Sequence, residues 1–285
     1  MTLLFAPAVR LMNRLKYSQK YLLVGLVLVI PLGVVLTQYI SQSNATLDFA
    51  AKELSGLAYN GPLTTFLHDV EQYAGLVYIH AEGDDALKAR MASAMADQQA
   101  KVEDDMRAVD AAQASMGQTV AIGTRWDDLK NEWNRVKIAL PTLTEGTAAS
   151  LYSNLIHQTV VLIVVVGNNS NLILDHDIDT YYIMESLVQE IPESSSYLSD
   201  IRNYSAASAA AGTLSSADRT RLVILGGLAR FELESQQMSL GYVAAYNPSL
   251  TTFLNDNLSA VQIRLNEFLD HVDKVILGSA GEQQT

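Results

Sequence analysis

Asp175, Asp177 and Asp179 alternate along one short stretch of the chain, and Tyr181 and Tyr182 follow at once. Alternating carboxylates open a calcium loop, so cation binding is the first chemistry to test. Such a loop needs Gly at its sixth position and Glu at its twelfth. Counted from Asp175, those positions hold Thr180 and Ser186, and the reading fails. What remains is a helix break followed by an acidic N-terminus, with Asp177 or Asp179 capping free amides. Beside that structural role stands a ligand-binding one, for which Asp175, Asp179, Tyr181 and Tyr182 are the candidates, one tyrosine lining a pocket and both packing at a joint.

No other stretch offers chemistry. His68, His80, His157, His176 and His271 form no HxxxH or HExxH pair, which makes structural or solvated roles the expectation for each. The chain has no cysteine, so thiolate metal sites and disulfides are excluded. No GxSxG, phosphate-binding glycine loop or dinucleotide pattern is present. The acid runs Asp84-Asp85, Glu103-Asp104-Asp105 and Asp127-Asp128 read as solvated helix faces. The expectation is a protein without catalytic residues, metal or cofactor.

The elements that must hold the Asp175–Tyr182 stretch are helical. Ala, Leu, Ser and Met are common, while Gly (16) and Pro (6) are sparse in 285 residues. Asn60-Gly61-Pro62 predicts a turn ending one helix and opening a second, which stops at Glu82-Gly83-Asp84. A third helix runs from Asp85 to Met116, with Leu87, Met91, Met95, Val102, Met106, Val109 and Met116 on one stripe; Gly117 is its expected C-cap. A fourth carries Trp126 and Trp133 and stops by Pro141. The segment PTLTEGTAAS reads as a connector between two halves. A fifth helix spans about Ala148 to Asn171; its Thr159–Val166 run would also suit a strand, but nothing pairs with it. A sixth runs from about Ile178 to Tyr204, kinked at Pro192, and a seventh is capped by Ser215 or Ser216 and reaches Tyr246. Asn247-Pro248-Ser249 opens the eighth, with Leu250, Leu254, Leu258, Val261, Leu265, Phe268, Val272 and Ile276 on one stripe. GPLTTFL at Gly61 and PSLTTFL at Pro248 echo each other as helix openings.

Tyr21 to Ile40 is twenty residues without a charge, the length of a membrane span, with Pro31 mid-span. The four basic residues ahead of it, Arg10, Arg14, Lys16 and Lys20, place the N-terminus in the cytoplasm. The competing reading is a cleaved signal peptide with a site near Ser41 to Ala45, for which the apolar run is long. Leu151 to Leu174 is also uncharged, but its strongly apolar part is short and a helix buried in protein is expected. All 31 acids lie beyond residue 20, a charge balance that excludes nucleic acid as a partner.

The run Asn171 to Met184 resembles the N-L-x-L-D-x-D-x-D-x-Y-Y-x-M signature of bacterial transmembrane receptors: methyl-accepting chemotaxis proteins, sensor histidine kinases and diguanylate cyclases with helical periplasmic domains. Lys16 to Tyr21 before the span and Ala51 to Leu57 after it look like the same group. The chain is also similar to the nitrate- and nitrite-sensing helical module, which implies two stacked four-helix bundles. Members of that wider group often carry Arg-Gly on the second helix for an anion; here the pair is Ala74-Gly75, which argues against nitrate sensing by that residue. The resulting expectation is an all-α chain: a basic cytoplasmic segment at 1–20, a transmembrane helix at 21–40, helical halves at 41–140 and 141–277, and a tail at 278–285. Leu258–Leu277 is too charged to be a second span, and no output module is legible.

The function implied is a membrane-anchored extracytoplasmic sensor in the bacterial inner membrane. It contacts lipid through residues 21–40, forms a homodimer or engages a membrane-protein partner, and binds a small molecule. The alternative is a single-span accessory subunit that uses the same bundle to hold another membrane complex.

Overall fold

The computed structural model describes residues 12–140, 145–174 and 177–278. The all-α expectation holds: the described residues contain no strand. In chain order the α-helices are α1 (Tyr17–Glu82), α2 (Asp85–Val120), α3 (Arg125–Ala139), α4 (Glu145–Asn169), α5 (Ile178–Glu185), α6 (Ile191–Ala211), α7 (Ser216–Tyr246) and α8 (Thr251–His271). Short 3-10 turns cover Leu172–Leu174 and Pro248–Leu250, and π-turns cover Ser186–Glu190 and Val272–Leu277.

The chain falls into two compact units, Met1–Ala51 and Lys52–Thr285. In the first, no residue of the apolar span is buried: Leu22, Leu28, Val29 and Leu32 each show more than half their surface. A helix with that much apolar surface in the open has the composition of a membrane span. The α4 segment Ser150–Asn169 passes the same test of length and composition, but half of it is buried in protein. Leu155, Ile156, Leu162, Ile163 and Val166 face the core, as a buried helix requires.

In the second unit, helices from both sides of the 141–144 segment share one core. Residues 59 to 78 of α1 supply its central ridge, with Tyr59, Leu63, Phe66, Val70, Ala74 and Val77 buried at helical spacing. The rings of α3 pack edge-on against it, Trp126 on Phe66 at 5.4 Å and Trp133 on Tyr73 at 5.2 Å. The α2 stripe is core as expected: Met95, Val102 and Val109 are buried, and Met91, Met106 and Met116 pack against them.

Several boundaries differ from the sequence expectation. The chain does not turn at Asn60-Gly61-Pro62; α1 continues through it, as it does through Pro31. Asn60 is buried and donates Nδ2 to the Ile163 carbonyl of α4 at 3.2 Å, so tertiary packing overrides the local turn preference. The Gly61 half of the helix-opening echo is therefore mid-helix, while the Pro248 half does open a helix. Gly117 is likewise buried within α2; the left-handed cap is Ala121 (φ 48°), whose N–H reaches the Gly117 carbonyl. Helix α4 begins at Glu145, inside the expected connector, whose residues 141–144 lie outside the described residues. Asp105 is not on a fully solvated face: Asp69 stands beside it, and burial, the larger cause, lifts its carboxyl to about 6. On α8, Val261 is exposed, and Leu269 joins Leu265, Phe268, Val272 and Ile276 on the packed face.

The expected kink at Pro192 takes the form of the π-turn Ser186–Glu190 just before it. A proline has no N–H to return to the preceding turn, so the ladder slips to a wider spacing there. Glu190 secures this turn. Its buried carboxylate accepts hydroxyls from Ser186 (2.6 Å) and, across on α7, from Ser235 (2.8 Å) and Ser239 (2.9 Å). Ser215 caps α7 as expected, accepting the Asp218 N–H at 3.0 Å. On the other side of the core, α1 and α4 touch at Gly56, where a Cβ would fall 1.9 Å from Ser170 Oγ.

Candidate ligand site

The residues singled out in the sequence serve mainly to join helices. Asp175 lies outside the described residues. Asp177 takes the N-cap position of α5, and its carbonyl accepts the Tyr181 N–H at 2.9 Å. Asp179 uses one carboxylate oxygen for the Thr180 N–H (3.0 Å) and the other for Asn247 Nδ2 (2.9 Å), tying α5 to the turn that follows α7. Tyr182 stacks on Tyr242 of α7 with ring centres 5.0 Å apart, and Tyr181 meets Tyr182 edge-on at 5.1 Å. Glu185 lies beside Tyr181 and pushes its phenol above the usual range. Of the four candidates, the three that are described, Asp179, Tyr181 and Tyr182, form a seam between α5 and α7.

A different cluster has the arrangement of a binding site. Between α1, α2 and α6 lies a cavity of about 450 Å³, with Arg202, Asn203, Lys101, Gln98, Gln72 and Asp97 among its polar walls. Leu76, Ile79, Ala94 and Ala206 supply apolar wall. Arg202 is fixed there by neutral acceptors. Its Nη2 donates to the Glu71 carbonyl (2.7 Å), Asn203 Oδ1 (3.1 Å) and Ser199 Oγ (3.3 Å), and its Nε to Asn203 Oδ1 (3.2 Å). Lys101 donates to Gln98 Oε1 at 3.2 Å, and Gln98 in turn donates to the Asp69 carbonyl of α1 at 3.1 Å. Gly75 makes room for this: a Cβ there would stand 2.8 Å from Asn203 Oδ1 and 3.3 Å from Arg202 Nη2.

The electrostatics are unusual for so acidic a chain. Among the described residues, neither Arg202 nor Lys101 has a carboxylate within ion-pair distance. Burial lowers the guanidinium's proton affinity, and the Glu71 charge works against that fall. Glu71 is itself almost wholly buried. Its Oε2 accepts Ser195 Oγ at 2.6 Å and its Oε1 has no hydrogen-bond partner among the described residues. Burial lifts this carboxyl to about 7, with Ser195 and Arg202 pulling down and Asp200 pushing up.

A larger groove, about 610 Å³, runs between α1 and the π-turn, walled by Leu57, Leu67, Leu187, Val188, Ile191 and Pro192. Its polar lining includes Asn60, Thr64, Thr65, His68 and Ser195. It offers apolar surface but no fixed charge to orient a ligand, whereas the smaller cavity offers both. The chemistry therefore favours the smaller one.

Comparisons of the chain with family models, curated proteins and solved structures return no match. Two signals in the sequence point to the cavity. Glu71 interrupts an otherwise apolar ridge from Leu63 to Tyr78, and Arg202-Asn203 sits between the buried positions Ile201 and Tyr204. A polar group on a core-facing stripe needs hydrogen bonds, and each of these makes one between α1 and α6, Glu71 accepting from Ser195 and Arg202 donating to the Glu71 carbonyl.

Proposed function

We propose that the protein is a membrane-anchored ligand-sensing module of the bacterial inner membrane, with a cytoplasmic N-terminus and the helical body in the periplasm. The observation that carries this reading is Arg202, a half-buried cation fixed in a three-helix cavity without a carboxylate partner. Buried charge is costly unless compensated, and a bound anion would compensate it. The cavity wall and the apolar span both belong to α1, so a ligand that draws α1 toward α6 has a helix on which to act. A small shift along one helix relative to its neighbours is an established way to pass a signal. Two stacked bundles in a homodimer remain the layout this reading proposes. Titration calorimetry on the full chain with small anions, amino acids and organic acids tests it. Saturable binding lost on Arg202→Gln is the expected result, and silence across the panel would overturn the reading.

A second reading, an accessory subunit that holds another membrane protein, draws on α7. Ile224, Leu228, Phe231, Met238 and Tyr242 follow one another at intervals of four, three, seven and four residues, one stripe of that helix, and are exposed. Purification in mild detergent separates the two: a stoichiometric foreign subunit favours the accessory role, and a homodimer alone favours the sensor.

A further inference from the structure

The cavity between α1, α2 and α6 also indicates which class of ligand it takes. We propose that it binds a small monocarboxylate with an apolar body, held at Arg202 with Lys101 as the second cation; this rests on the sensor reading above.

The sign of the charge follows from the two unpaired cations. Arg202 is also oriented in advance: Nε and Nη2 are engaged by protein acceptors, while Nη1 has none among the described residues. A guanidinium held in this way presents a free donor to a planar carboxylate without losing side-chain freedom on binding.

The amount of charge follows from the acids nearby. Asp97 lines the cavity and the Glu71 carboxyl lies behind Arg202, so a second negative charge on the ligand would meet repulsion. Arg202 and Lys101 bring two positive charges and Asp97 one negative, so while Glu71 holds its proton, below about pH 7, a monoanion balances the site and a dianion such as phosphate overloads it.

The body follows from size and lining. Ligand pockets of about 300–1,000 Å³ hold organic molecules, and this one is about 450 Å³. A bare inorganic oxyanion would leave most of that volume to water, next to Leu76, Ile79, Ala94 and Ala206. An alkyl or aryl carboxylate covers those side chains as its head reaches Arg202.

The test is calorimetry and thermal unfolding of the full chain in lipid nanodiscs, with each acid set against its neutral amide: butyrate and butyramide, hexanoate and hexanamide, benzoate and benzamide. Nitrate and phosphate complete the set. At least one carboxylate should bind saturably, with its amide at least tenfold weaker. Arg202→Gln should weaken the carboxylate at least tenfold. Ala206→Leu, which narrows the cavity but leaves every Arg202 hydrogen bond in place, should weaken it too and serves if Arg202→Gln does not fold. Equal binding of acid and amide, binding undiminished in both variants, or no binding by any carboxylate overturns the proposal. Binding by nitrate or phosphate alone overturns the carboxylate class while leaving the sensor reading standing. That reading falls only if the wider panel of small anions, amino acids and organic acids is silent as well.

Discussion

Glu71 is the residue whose chemistry is most displaced by the fold. Its carboxyl titrates near 7 in the folded chain against an ordinary 4.5, so the folded state holds its proton more tightly than the unfolded state does. The stability contributed by the neutral acid is complete below about 4.5 and is lost as pH rises through about 7. Arg202 and Asp200, both on α6, are the charged groups acting on it, and Ser195 donates to it. Glu71→Gln keeps an acceptor for Ser195 and removes the proton equilibrium. The variant should therefore gain up to roughly 3 kcal/mol over the parent at pH 8 and almost nothing at pH 4.5. Denaturant unfolding at the two pH values measures this, and an equal effect at both would refute it. At this scale the sequence was a partial guide. Asp179 and Tyr182 drew attention by spacing, and their partners, Asn247 and Tyr242, lie some sixty residues further along. Arg202 gave no motif, because its acceptors are a main-chain carbonyl on α1 and two neutral side chains.

At the scale of elements, periodicity was the most reliable signal and local turn chemistry the least. The α2 stripe from Met91 to Met116 and the two tryptophans of α3 join one core with the ridge of α1, while Leu87 at the start of the stripe stays outside it. Asn60-Gly61-Pro62 misled because the Asn60 amide has a better use against α4 than in a turn. Pro192 was legible as a disturbance but not as a π-turn, whose anchor is Glu190 reaching Ser235 and Ser239 on α7. Replacing Glu190 with leucine strands three hydroxyls in a buried site and should cost about 2–4 kcal/mol. The contact of α1 with α4 gives a second test. Gly56→Ala sets a methyl 1.9 Å from Ser170 Oγ and 2.4 Å from Ser170 Cβ, so the helices must separate, at a cost of about 1–3 kcal/mol. Adding Ser170→Gly removes both atoms in conflict, and the double variant should recover most of the loss in thermal unfolding. If the two changes simply add, the contact is not the cause.

At the scale of the whole molecule, two apolar helices have the length and composition of a membrane span, and they differ in burial. None of the α1 segment is buried, while half of Ser150–Asn169 is covered by protein. On the membrane-anchored reading proposed above, charge orients the first: Arg10, Arg14, Lys16 and Lys20 precede it and all the acids follow it. A chain that crosses once should expose positions 92 and 256 on the same side, and position 14 on the other. If α4 crossed as well, 92 and 256 would be on opposite sides. The absence of any native cysteine makes this directly measurable, because a single introduced thiol is a unique label. Arg14→Cys, Ala92→Cys and Asp256→Cys all fall at exposed positions, so substitution should leave the fold intact. A membrane-impermeant maleimide applied to cells with a permeabilised outer membrane should label Ala92→Cys and Asp256→Cys and spare Arg14→Cys until the inner membrane is broken. Labelling of Arg14→Cys alone would invert the orientation. Labelling that divides Ala92→Cys from Asp256→Cys would make α4 a second span and remove its buried residues from the core described above.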